Sequence, residues 1–72
     1  MEYTSTHDGL TVHVEKVGGG TLGRTYTGSW GYVVTDSAST ELGRGQDFTT
    51  GTPKTHAETA LLIAEHFRDA AA

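Results

Sequence analysis

Hydrophobic and polar residues alternate along the segment LTVHVEK, in which Leu10, Val12 and Val14 are separated by polar side chains. A period of two built from β-branched residues is typical of a strand that buries one face. Residues 30–35 also predict a strand, and apolar side chains on both of its faces indicate a central place in a sheet. Three consecutive glycines, residues 18–20, end the first strand and predict a hairpin turn or a mobile loop.

Two further segments have weaker patterns. Residues 21–29 have some strand composition but are interrupted by glycine, so their secondary structure stays open. Residues 41–48 follow a polar turn and predict a weaker strand, in which Gly43 and Gly45 are candidate bulge positions. This strand is expected to pair back on the strand before it.

The hydrophobic period changes to 3.6 residues after residue 55. Its apolar stripe consists of Ala57, Ala60, Leu61, Ala64, Phe67 and Ala71, and Ile63 widens it. Thr55 and Glu58 form a capping box, in which each side chain accepts a hydrogen bond from the backbone amide of the other residue. The pattern therefore predicts a helix that begins after Thr55 and ends near residue 70.

These elements predict an α+β fold, a three-stranded antiparallel sheet followed by one C-terminal amphipathic helix packed on one face. Residues 10–72 are expected to form a single small α+β domain. Residues 1–9 contain one large apolar side chain after Met1 and end in the turn dipeptide Asp8-Gly9. They are therefore expected to form either a flexible arm or an edge strand.

One helix covers only one face of a three-stranded sheet. The direction of Trp30, Tyr32 and Val34 therefore decides whether these side chains lie in the core or on an exposed face. These three residues share a face of their strand. If that face points away from the helix, they form an apolar interaction patch that a second copy or a host protein would cover. In the alternative, they point inward against Leu61 and Phe67, and the sequence leaves both arrangements open.

Composition and charge narrow the functional classes. The 72 residues carry a net charge of −4 and no cysteine, so disulfides and thiolate chemistry are excluded. An acidic chain lacks the positive field that drives phosphate binding, although a local nucleic-acid surface remains an alternative. Its candidate contacts are Arg24, Tyr26, Arg44 and Lys54. The polar N-terminal segment and the absence of a long apolar run predict a cytoplasmic protein without membrane contact.

The histidines and carboxylates lack the spacing of a metal site. His56 and His66 are ten residues apart and do not share a helix face. Glu58, Glu65 and Asp69 are expected to form a solvated acidic face, because a metal cluster would need a further carboxylate such as Glu15 or Asp47 from the sheet. We therefore expect no catalytic residues, no metal, no cofactor and no enzymatic activity.

Two stretches, SWGYVV at residues 29–34 and THAE at residues 55–58, resemble the N-terminal half of ribonuclease H. The resemblance implies that Glu58 matches a metal ligand on the family's helix. Glu15 stands where that family has an aspartate, which implies a catalytically inactive remnant. The order of strands followed by a helix is also similar to the arm-site-binding domain of phage integrases, which implies a sheet that enters the major groove.

The segment from Phe48 to Glu58, FTTGTPKTHAE, resembles small uncharacterised proteins of actinobacteria and their phages. This resemblance implies a bacterial or phage source. Together, these observations predict a small non-enzymatic protein-interaction module whose partner is a second copy or a host protein. The alternatives are a nucleic-acid-binding domain of the integrase-arm type and the ribonuclease-H-like remnant.

Overall fold

A computed structural model describes residues 2–23 and 25–71 and contains six strands and one helix. In chain order these are β1 (Glu2–His7), β2 (Leu10–Lys16), β3 (Thr21–Leu22), β4 (Thr25–Tyr26), β5 (Ser29–Thr35), β6 (Glu41–Thr49) and α1 (His56–Ala71). Four strands form an antiparallel sheet in the order β1-β2-β5-β6, and β3 and β4 form a separate small hairpin. The predicted α+β fold with an antiparallel sheet and a C-terminal helix is confirmed, but the main sheet has four strands rather than three.

The additional strand, β1, comes from the first residues of the chain. It pairs with β2 in an unbroken register from Glu2–Glu15 to His7–Leu10. Asp8 and Gly9 connect the two strands, and both have positive φ angles, 50° and 84°. Positive φ at both central residues is the type I′ turn that fits the twist of a two-stranded hairpin. The turn chemistry therefore specifies a strand that the apolar pattern alone does not predict.

The core lies between α1 and the sheet face that α1 covers. Its buried apolar residues are Val12, Val14, Trp30, Val34, Ala60, Ile63 and Ala64. Alanines on the inner face of α1 bring the helix close to β2 and β1, the strands that it contacts most. Burial of this set removes its apolar surface from water and is the main source of stability.

The proposed interaction patch of Trp30, Tyr32 and Val34 is wrong as an exposed surface. Trp30 and Val34 have no solvent-exposed area, and the Tyr32 ring packs edge-on against Phe67 of α1, with ring centroids 6.0 Å apart. The three side chains therefore point inward, toward α1. Phe67 is one of their neighbours, as that alternative predicts, but Leu61 is not buried against them and is 43% exposed. The physical reason is that the indole is the largest buried side chain, and so small a core needs its apolar area.

Aromatic side chains fill the part of the inner face that lies over β6. Tyr32 and Phe48 pack edge to face, and the Phe67 ring of α1 packs against the backbone at Gly43 of β6. A Cβ atom at Gly43 would lie only 2.6 Å from the Phe67 ring, so glycine allows this close approach. The register between β5 and β6 shifts at two places, at residues 46–47 and at residue 42. Gly43 and Gly45 themselves pair regularly with Val34 and Tyr32, so the predicted bulges lie next to these glycines and not at them.

The helix begins with the predicted capping box. The Glu58 amide donates to the Thr55 hydroxyl over 3.1 Å, and the Thr55 amide donates to the Glu58 carboxylate over 2.9 Å. The hydrogen bond from the Thr55 amide is the main reason that the pKa of Glu58 lies below its ordinary value. The two bonds satisfy two amides that the first helical turn would otherwise leave without acceptors.

Removal of the cap hydroxyl in Thr55→Ala is expected to lower the free energy of unfolding by about 0.5–2 kcal/mol. The Glu58 amide loses its acceptor, while the core contacts of α1 stay in place. Urea denaturation followed by circular dichroism measures the change. Thr52→Ala, in the exposed loop before the helix, is the matched control and is expected to leave the midpoint unchanged. Equal midpoints for Thr55→Ala and the wild type would contradict the capping role.

Candidate functional site

The sheet face opposite α1 is open to solvent and carries a shallow groove of about 320 Å³. The groove is lined by His13 and Glu15 of β2, Gly31, Tyr32 and Val33 of β5, and Arg44, Gly45 and Gln46 of β6. It lies over β5, where Gly31 has no side chain, and lining residues of β2 and β6 border it on the two sides. The walls therefore come from β2 and β6, and the floor comes from β5.

Cross-strand register arranges the open face in rows. Glu2, Glu15 and Gly31 are directly opposite one another across β1, β2 and β5. The next row consists of Thr4, His13, Val33 and Arg44. The β1–β2 side of the groove is consequently acidic, and its β6 side carries the guanidinium of Arg44.

Arg44 is held in place by its neighbour on β6. Its Nε donates to the Glu41 carboxylate over 3.0 Å. This hydrogen bond lowers the pKa of Glu41 and raises the pKa of Arg44. Both side chains are exposed, so the pair orients the guanidinium without adding much stability.

His13 lies within a cluster of potential ligands at the acidic side of the groove. Its Nε2 is 3.0 Å from Oε1 of Glu2, and its Nδ1 is 2.8 Å from the Thr4 hydroxyl. One ligand atom from each of Glu2, His13 and Glu15 lies within 4.8 Å of the other two. The sequence pattern alone does not predict this cluster, because Glu2 and His13 become neighbours only through the β1–β2 register. The turn dipeptide Asp8-Gly9 was the signal that could have specified that register.

The outer edge of β1 is a second candidate surface. His7 and Leu10 close a two-residue type I′ turn, so they form a hydrogen-bonded pair, and alternate residues of β1 face β2 in the same way. The backbone groups of Glu2, Thr4 and Thr6 therefore point away from β2. No strand among residues 2–23 and 25–71 pairs with this edge. The edge contains neither proline nor lysine and has no bulge.

The described candidate nucleic-acid contacts, Tyr26, Arg44 and Lys54, do not share one surface. Arg24 lies outside the described residues. Tyr26 packs edge-on against Trp30 and His56 on the helix side of the domain, and its backbone pairs with Lys54. Arg44 lines the groove on the opposite face. The described members of the set therefore do not combine into one basic-aromatic surface.

Two of the carboxylates that a metal cluster would combine, Glu58 and Glu15, lie on opposite faces of the sheet. Glu58 caps α1 on one side of the sheet, whereas Glu15 lies on the open face with His13. The alternative in which Glu58 and Glu15 share a metal ion is therefore excluded, since the sheet lies between the two side chains. The helix cap residues Thr55 and Glu58 occupy their predicted places.

Comparison with protein-family models, with curated proteins and with solved structures finds no match for this chain. The described residues contain no helix with the length and apolar character needed to cross a bilayer. The features that can indicate a function are therefore the groove, the cluster of Glu2, His13 and Glu15, and the outer edge of β1.

Proposed function

We propose that this chain is a non-enzymatic protein-interaction module that self-associates through the edge of β1. The observation that carries the proposal is a regular edge strand whose outward backbone groups lie unpaired within the described chain. Such an edge is a template for pairing with another strand. The β1 edge takes the place of Trp30, Tyr32 and Val34 as the proposed interaction surface, because those three side chains belong to or pack against the core.

The opposite edge of the sheet provides the contrast. β6 has two register shifts against β5, and bulged, twisted strands pair poorly with a further strand. β1 has six consecutive residues in regular register with β2. Of the two edges, β1 is therefore the one suited to strand addition.

A second copy is the occupant that the geometry favours. A two-fold axis perpendicular to the sheet makes the two β1 strands antiparallel and keeps both helices on the same side. With the axis at Thr4, Thr4 pairs with Thr4 of the second copy, and Glu2 pairs with Thr6 of the second copy. Every outward-facing backbone group of β1 then takes part, and no carboxylate lies directly opposite another.

A proline at Thr6 tests this arrangement. The Thr6 amide points away from β2, so Thr6→Pro keeps the hydrogen bonds of the β1–β2 hairpin and removes one donor from the edge. Thr6→Val keeps the amide and is the matched control. Sedimentation equilibrium is expected to show concentration-dependent dimers for the wild type and Thr6→Val, and only the 7.6 kDa monomer for Thr6→Pro.

Thermal melting followed by circular dichroism confirms that Thr6→Pro is folded before its mass is interpreted. A wild type that stays monomeric up to millimolar concentration would contradict self-association. Dimers of Thr6→Pro as stable as those of the wild type would place the contact elsewhere. Both outcomes would overturn the proposal.

A further inference from the structure

Two carboxylates are directly opposite each other on the open face, at Glu2 of β1 and Glu15 of β2. Like charges in this cross-strand position repel and destabilise the pairing. His13 lies two residues from Glu15 on the same face of β2, and its Nε2 approaches Glu2. A positive charge held between these three side chains would convert the repulsion into attraction.

Thr4 allows His13 to bind either a proton or a cation at Nε2. A carboxylate only accepts hydrogen bonds, so the contact with Glu2 requires a proton on Nε2, and in the neutral ring with that proton Nδ1 accepts from the Thr4 hydroxyl. When the ring proton resides on Nδ1 instead, Nδ1 donates to the Thr4 oxygen and Nε2 presents a lone pair. A hydroxyl serves both tautomers, since it is a donor and an acceptor.

We propose that Glu2, His13 and Glu15 bind a divalent transition-metal ion, for which Zn²⁺ is the best match. One imidazole and two carboxylates are common zinc ligands, and Mg²⁺ and Ca²⁺ prefer oxygen ligands alone. Thr4 is the positioning residue, because a hydrogen bond to the second ring nitrogen fixes the tautomer and orientation of a ligating histidine.

The site is built on paired strands rather than on loops, which keeps its ligands in a fixed relation. Three protein ligands leave part of the zinc coordination sphere for water or another donor. His13 and Glu15 also line the groove, so the open coordination position is adjacent to it. A carboxylate or another anionic group in the groove would complete the coordination. The site uses side chains on the open face, whereas self-association uses backbone groups at the edge.

Zinc binding is measured on untagged protein by competition with a chromogenic chelator at pH 7.5. We expect one Zn²⁺ per chain, no competition from millimolar Mg²⁺, and a saturable rise in melting temperature. Glu15→Gln and His13→Gln are each expected to weaken binding at least tenfold, and Thr4→Val about tenfold. His66→Gln, which removes an exposed histidine on α1, is the matched control and is expected to bind like the wild type.

A readout on the imidazole separates ligation from a general structural effect. Zinc is expected to shift the Nε2 resonance of His13 in ¹⁵N-detected spectra and to leave that of His66 in place. Absence of binding at millimolar Zn²⁺, or equal affinity for the wild type and His13→Gln, would overturn the site. The titration is repeated with Thr6→Pro, which is expected to be monomeric, so that zinc binding is measured without self-association.

Discussion

Truncation of the buried indole in Trp30→Ala is expected to leave the chain unfolded at 25 °C. The side chain is fully buried and contacts Tyr26 and His56 through edge-on ring packing, with centroids 5.8 Å and 4.9 Å away. Loss of a buried aromatic side chain typically costs about 3–5 kcal/mol. A core of this size supplies only about 3–5 kcal/mol in total, so the loss removes most of the stability.

Amide dispersion in a ¹H–¹⁵N spectrum and far-ultraviolet circular dichroism measure the outcome of Trp30→Ala. Leu61→Ala is the matched control, because Leu61 is 43% exposed on the outer side of α1. That variant is expected to stay folded and lose less than about 1 kcal/mol. A folded Trp30→Ala with a melting curve like that of the wild type would show that the indole lies outside the core.

A Cβ atom at Gly28 is expected to disrupt the base of the β3–β4 hairpin. Gly28 has a φ of 95°, and its added Cβ would lie 2.5 Å from the Gly18 carbonyl oxygen and 2.6 Å from the Gly19 Cα. These are backbone atoms, so no side-chain rotation relieves the overlap. The backbone conformation alone costs about 1–3 kcal/mol for a residue other than glycine, and the overlap adds to it.

Chemical denaturation of Gly28→Ala measures this loss. Gly51→Ala is the matched control, because a Cβ at Gly51 meets no atom within 4 Å and its φ is not in the left-handed region. The control is expected to match the wild type or to gain about 0.4–1 kcal/mol from lower unfolded-state entropy. Equal stability of Gly28→Ala and Gly51→Ala would contradict the close packing of the two backbone segments.

The local elements followed from the sequence because their signals are local. The Thr55–Glu58 capping box and the 3.6-residue stripe predicted the start and course of α1, which the structure confirms. The alternation of Leu10, Val12 and Val14 predicted β2 in the same way. For β1 the sequence allows both an arm and an edge strand, because its apolar content is low and its pairing depends on the Asp8-Gly9 turn.

The candidate sites were harder to predict, because they depend on register and on the direction of a face. A period of two shows that Trp30 and Val34 share a face but does not show which face the helix covers. The cluster of Glu2, His13 and Glu15 likewise requires the β1–β2 register, since Glu2 and His13 are eleven positions apart. Both features depend on which strands are neighbours in the sheet and on the face that α1 covers.

The most direct test of self-association is an isotope-filtered NOE experiment on an equal mixture of labelled and unlabelled chains. Tyr3 faces Ser5 of the second copy when the two-fold axis is at Thr4, and the two form a non-hydrogen-bonded pair with a short Hα–Hα distance. We predict an intermolecular NOE between the Hα protons of Tyr3 and Ser5 that is absent in Thr6→Pro. A dimer whose intermolecular NOEs lie outside residues 2–7, or a sample with none, would contradict pairing through β1.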